Sequence, residues 1–122
     1  MGNAQAGKGF VYSPNDYQLA IEASKELEYL LEKEFGAFGQ GLHERVSSVE
    51  SAIPAPTVRS IRYVATLRNR LIHDRDVRAL PDRQKFIQKF DDAMVELNII
   101  IEKKRLDAGG REPPAAPGCV IS

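Results

Sequence analysis

The sequence predicts an all-α domain, an antiparallel four-helix up-and-down bundle. Three observations carry that expectation. Apolar residues recur at three- and four-residue spacing in four separate stretches, the period of a helix with one buried face. No stretch alternates apolar and polar residues as a half-buried strand does. Glycines and prolines fall between the stretches and leave only short links, which join antiparallel neighbours.

The elements follow in chain order. Residues 1–12 are small, Gly-rich and weakly patterned, so a flexible N-terminal arm is expected there. A helical domain follows over residues 13–106. Ser13 suits the N-cap of its first helix, with Pro14 in the first turn and Asp16 against the positive end of the dipole. Ala20, Ala23, Leu27, Leu30, Leu31 and Phe35 then recur at helical spacing, and Gly36 stops the helix. Leu42, Val46, Val49 and Ile53 make a second, shorter amphipathic stretch that Pro54 and Pro56 end. The third helix is expected from about Thr57 to His73. The fourth starts near Pro81-Asp82, carries Phe86, Ile87, Phe90, Ala93, Met94, Leu97, Ile100 and Ile101, and ends near Arg105. Residues 107–122, rich in Gly, Pro and Ala, read as a disordered C-terminal tail.

The chain has 122 residues, one domain's worth. Its 17 Lys and Arg balance 17 Asp and Glu. Binding of a polyanion by overall charge is therefore excluded, and any nucleic-acid contact has to come from a local basic patch. The single cysteine, Cys119, excludes an intrachain disulfide framework and a cysteine-rich zinc site. No secretory segment and no membrane-spanning apolar run is visible, so a cytoplasmic protein is expected.

The third helix holds the residues that point to chemistry. Ile61, Val64, Ala65, Leu67, Leu71 and Ile72 form an apolar stripe, and Arg68 falls near its centre at about 100° per residue. A guanidinium keeps its charge, so burying it unpaired costs several kcal/mol. Either Arg68 pairs with a glutamate of the first helix, Glu26 or Glu34, or it is kept for something anionic. The polar arc of the same helix carries Arg59, Arg62, Thr66, Asn69 and His73, with Arg70 at its edge. Asn69 and His73 are four apart and hence neighbours, so the amide can orient the imidazole. Arg68 and His73 lie roughly 140° apart around a regular helix. They converge only if the helix unwinds at His73 or if a second copy of the chain brings its own pair to the same place.

An arginine can hold the non-bridging oxygens of a phosphodiester, and a histidine titrating near neutrality can move the proton of a ribose 2′-hydroxyl. Together they cleave RNA without a metal or other cofactor and leave a cyclic phosphate. Arg59, Arg62, Arg70 and Arg75 would supply the basic approach for the RNA backbone. The structural alternative has His73 merely capping the helix C-terminus, where a cation suits the dipole.

Arg68-Asn69-Arg70-Leu71-Ile72-His73-Asp74, on the third helix of a small four-helix domain, resembles the motif of the HEPN superfamily. The resemblance covers about residues 14–105. Arg68 matches the motif arginine, Asn69 the polar residue after it and His73 the histidine. It implies a HEPN-like bundle and a metal-independent endoribonuclease with Arg68, Asn69 and His73 as catalytic residues. It also implies a homodimer with the two motifs facing each other, and a place in toxin–antitoxin, anti-phage or RNA-processing systems, with a cognate antitoxin or defence partner. Many members of that superfamily are non-catalytic binding modules, which is the rival reading.

Other candidates are weaker. His43, beside Glu44, has no metal-ligand spacing around it and is expected exposed or hydrogen-bonded. Asp91 and Asp92 point to different sides of a helix and read as a solvated face. Ser47 and Ser48 lack a base at a recognisable spacing, and the glycines after the first helix lack the lysine of a phosphate-binding loop. Cys119-Val120-Ile121-Ser122 fits the prenylation pattern that favours farnesyl. That match has meaning only in a eukaryotic host, and chance explains it in a bacterial one. Without such a lipid no stable membrane association is expected.

Overall fold

A computed structural model describes residues 10–111, and the side chains of residues 10–108. Within it the chain forms four α-helices: α1 (Asp16–Phe35), α2 (Gly41–Ser48), α3 (Ala55–His73) and α4 (Arg83–Arg111). No strand occurs among the described residues, and no helix among them is long and apolar enough to cross a membrane. Cys119 and its three followers lie outside the described residues.

α3 packs against each of the other helices, and α1 also touches α2 and α4. The core is the set of apolar faces read from the sequence. Leu19, Leu27 and Leu31 of α1, Val46 of α2, Ile61 and Val64 of α3, and Phe86, Phe90, Met94 and Leu97 of α4 are all essentially inaccessible to water. Removing each such side chain from water is worth roughly 1.5–3 kcal/mol. Binary pattern therefore fixes which face of each helix turns inward.

Several boundaries differ from the sequence reading. α1 is capped by Asn15 rather than Ser13: the Asn15 side chain accepts from the Gln18 N–H at 2.9 Å. Ser13 Oγ instead accepts from the Asn15 N–H at 3.0 Å. Both residue types cap well, and the one adjoining the first helical residue takes the role. Gly36 ends α1 as expected, with φ 72° and its N–H on the Glu32 carbonyl at 3.1 Å. The second stretch is split. α2 stops at Ser48, Val49 breaks the helical backbone, and a 3-10 turn over Glu50–Ala52 brings Ile53 back to the core. α3 begins at Ala55, two residues before Thr57, because Pro54 and Pro56 are tolerated ahead of and within a first helical turn. α4 begins as read, with Asp82 Oδ1 accepting the Lys85 N–H at 3.0 Å. It runs on to Arg111, past the expected start of the tail at residue 107.

Phe10 and Tyr12, read as part of the arm, pack against α4. Phe10 stacks on Phe90 with ring centroids 4.8 Å apart, and Tyr12 meets Phe10 edge-on at 5.3 Å. The Tyr12 hydroxyl donates to Asp91 Oδ1. Asp91 is thus half-buried and engaged, not a solvated side chain, whereas Asp92 is exposed and accepts from Gln88 at 2.9 Å. Burial first, and then the Asp91 carboxylate, raise the Tyr12 phenol above its ordinary range. Asp16 completes this corner. Its Oδ1 takes Arg83 Nη1 at 2.6 Å and its Oδ2 takes the Leu80 N–H at 2.9 Å. That pair ties the start of α1 to the link between α3 and α4.

Candidate functional site: a basic cleft between α2 and α3

The last two turns of α3 and the start of α2 enclose an open cleft of about 590 Å³. Asn69, Arg70 and His73 line it from α3, with Thr66 one turn earlier. Asp74 and Arg75 close it where α3 ends, and His43 faces them from α2. The helical period places Thr66, Asn69 and His73 on one side of α3, three and four residues apart. α2 crosses that side because Leu42 and Val46 are buried beneath it, which turns His43 toward α3.

His73 is the last residue of α3 and is exposed; the Asp74 N–H after it bonds the Arg70 carbonyl at 2.9 Å. Among the described residues His73, Arg70 and Arg75 make no ion pair. Among the described residues Asp74 is the single carboxylate lining the cleft, and its Oδ1 accepts the Asp76 N–H at 3.1 Å. The cleft therefore carries unneutralised positive charge around an imidazole.

Arg68 stands differently from the sequence reading. It is half-buried at the edge of the apolar stripe rather than in its centre. The stripe is narrower than read, since Ile72, four residues on, is 41% exposed. No ion pair joins Arg68 to Glu26 or Glu34. Its Nη1 donates instead to Asn69 Oδ1 at 3.0 Å. Asn69 thus steadies the guanidinium, and no Asn69–His73 hydrogen bond is present. Arg68 lines a second, tighter cavity of about 220 Å³ between α1, the start of α2 and α3, together with Asn69, His43, Glu28 and Ser24. The Ser24 hydroxyl is buried there with no hydrogen-bond partner among the described residues. Arg68 and His73 line different hollows of one protomer. Asn69 and His43 are the side chains shared by both hollows.

The other arginines divide. Arg70 and Arg75 line the cleft. Arg59 lies on another face, in a groove with Lys89, Asp92 and Glu96 where α3 meets α4. Arg62 is engaged within the protein: Nη2 donates to Ser47 Oγ at 2.8 Å and reaches Glu50 Oε1 at 3.4 Å. Its Nη1 lies 3.2 Å from His43 Nδ1. A guanidinium with three protein partners is not a free phosphate contact, so the expected backbone role of Arg62 is replaced by one in holding α2.

His43 is the residue that sequence reasoning left out of the site. Its Nε2 lies 3.4 Å from Thr66 Oγ1. Burial first, then the Arg62 charge, push the imidazole below its ordinary value of about 6.5. Helical spacing could not reveal it, because the contact joins two different helices. Among the described residues no group of three or more His, Cys, Asp or Glu comes together. Comparison with protein-family models, with curated proteins and with solved structures finds no match to this chain.

Proposed function

We propose that this chain is a HEPN-like, metal-independent endoribonuclease that works as a homodimer of antiparallel bundles, with the α2–α3 cleft as its RNA site. The observation that supports this reading most is the exposed His73 imidazole set among Arg70, Arg75 and Asn69 with one carboxylate nearby. In the proposed reaction a 2′-hydroxyl loses its proton to His73 and attacks the adjacent phosphorus. The O2′–P bond forms as the P–O5′ bond breaks, the leaving 5′-oxygen takes a proton from water, and a 2′,3′-cyclic phosphate remains. Arg68 stabilises the charge building on the phosphoryl oxygens. Arg70 and Arg75 hold the flanking backbone.

Arg68 and His73 open into different hollows of one protomer, so the reading requires the Arg68 of one copy to meet the His73 of the other. Arg68 and the exposed Ile72 lie four residues apart on one side of α3, which places an apolar contact beside the charge. The proposed biological setting is the effector half of a toxin–antitoxin or anti-phage pair in the cytoplasm.

The same separation favours a second reading, a non-catalytic HEPN-like module that binds RNA or a partner through this face. Incubating the purified protein with single-stranded RNA in EDTA separates the two. Cleavage that is lost in both Arg68→Ala and His73→Ala supports the enzyme. Cleavage that survives both substitutions rejects it, and binding without cleavage in the wild type selects the module.

A further inference from the structure

His43 and Arg62 form a unit that the proposed reaction leaves unused. Arg62 reaches across α2 and is fixed from three sides, by Ser47, by Glu50 and by the His43 ring. A guanidinium only donates hydrogen bonds. Its 3.2 Å contact with His43 Nδ1 is therefore a bond only when Nδ1 carries no proton. The imidazole proton then sits on Nε2, the nitrogen on the side of Thr66 and the cleft. The 3.4 Å separation from Thr66 Oγ1 is long for a hydrogen bond, and Thr66 is exposed. A better acceptor entering the cleft can take that proton's bond.

We propose that His43 is a second imidazole of the RNA site, locked by Arg62 as the neutral Nε2–H tautomer, and that it donates a hydrogen bond to a non-bridging phosphate oxygen of RNA in the cleft. This rests on the reading of the cleft as an RNA site. It divides the work between the two histidines. His73 moves protons. His43 cannot, because its only lone pair is bonded to Arg62; it holds the phosphate. Arg62 is a positioning residue, acting through the ring. Protonating His43 would set two cations 3.2 Å apart, which keeps the ring neutral at physiological pH.

Two measurements test this on the full chain. In the first, ¹⁵N-labelled histidine spectra report the His43 tautomer. The wild type is expected to show Nε2–H, and Arg62→Ala a mixture of both tautomers with a pKa nearer the ordinary one. An Nδ1–H tautomer in the wild type overturns the proposal. The second uses a 2′-O-methyl single-stranded RNA oligonucleotide, which binds without being cut. His43→Ala is expected to weaken its binding about tenfold, the range of one hydrogen bond to a charged acceptor. His43→Gln, which keeps a donor but no titrating group, is expected to stay within about threefold of wild type. Unchanged binding in His43→Ala overturns the proposal, as does a glutamine variant as weak as alanine whose spectra show an intact fold. The two readings fail separately. A wild type that binds the oligonucleotide through His43 yet never cleaves RNA removes the nuclease and keeps this assignment. A wild type that cleaves RNA while binding ignores His43 does the reverse. Absence of any binding removes both.

Discussion

The α3–α4 link and the α2–α3 cleft are built on opposite terms. Where the α3–α4 link meets the start of α1, polar groups are matched. Asp16 takes both Arg83 and the Leu80 N–H, Tyr12 donates to Asp91, and Phe10 and Tyr12 cover Phe90. In the α2–α3 cleft, Arg70, Arg75 and His73 face water without ion-pair partners among the described residues, and in the neighbouring hollow Arg68 donates to the neutral Asn69. The first arrangement is what stability alone produces, because a half-buried charge is costly until it is paired. The second gains no ion pair for folding from its arginines. On the proposed reading, that surface is kept for an anion that comes from outside.

Substitutions at the matched corner are thus expected to act on stability, and those in the cleft on binding and chemistry. The largest effect belongs to the corner. Phe90→Ala removes a fully buried ring under two aromatic neighbours. It should cost about 3–5 kcal/mol, read as a shift of the denaturant midpoint. Next comes Asp16→Ala, which leaves the Leu80 N–H and Arg83 without their carboxylate. Partial exposure of both side chains holds the expected loss to about 1–2 kcal/mol. A neutral result at either position would break the contrast between the two regions.

In the cleft the expected stability changes are within about 0.5 kcal/mol, and the readouts differ. Arg70→Ala and Arg75→Ala should each lower the salt dependence of RNA binding by about one unit of slope, with thermal stability preserved. Arg59→Ala, on the other face, should leave that slope unchanged. The smallest expected effect is a pH dependence. The folded His43 resists protonation more than the unfolded chain does. Between the ordinary imidazole pKa of about 6.5 and the lower folded value, the unfolded state binds more protons. Stability should therefore fall as pH drops below that ordinary value, and His43→Gln should remove this part of the slope. Urea titrations of both proteins at a series of pH values measure it.

The fold was legible in the sequence wherever burial decides structure. The four apolar faces and the end of α3 at His73 needed only periodicity and end signals. The start of α1 did not yield to that reading because Ser13 and Asn15 are both good caps, two residues apart, and both are used. Phe10 and Tyr12 escaped it because an arm of two aromatics carries no period; only the flank of Phe90 that they cover gives them a place. Within the site, Asn69, Arg70 and His73 were legible from spacing on a single helix. His43 was not, and Arg62 was assigned outward, for one reason. Their contact joins α2 to α3, and local spacing holds no record of which helix crosses which. A half-polar arc on α3 facing a short amphipathic helix was the one signal that could have suggested the meeting.

On the proposed function, the cleft around His73 accepts RNA and breaks it through the ribose hydroxyl. The decisive experiment compares one single-stranded sequence, in ribo and fully 2′-deoxy form, incubated with wild type and His73→Ala in EDTA, with product ends identified by mass. Wild type is expected to cut the ribo form alone, leaving 2′,3′-cyclic phosphate ends, and His73→Ala with unchanged helical content to cut neither. Cutting of the deoxy strand, or cyclic-phosphate products from the His73→Ala protein, would contradict that function.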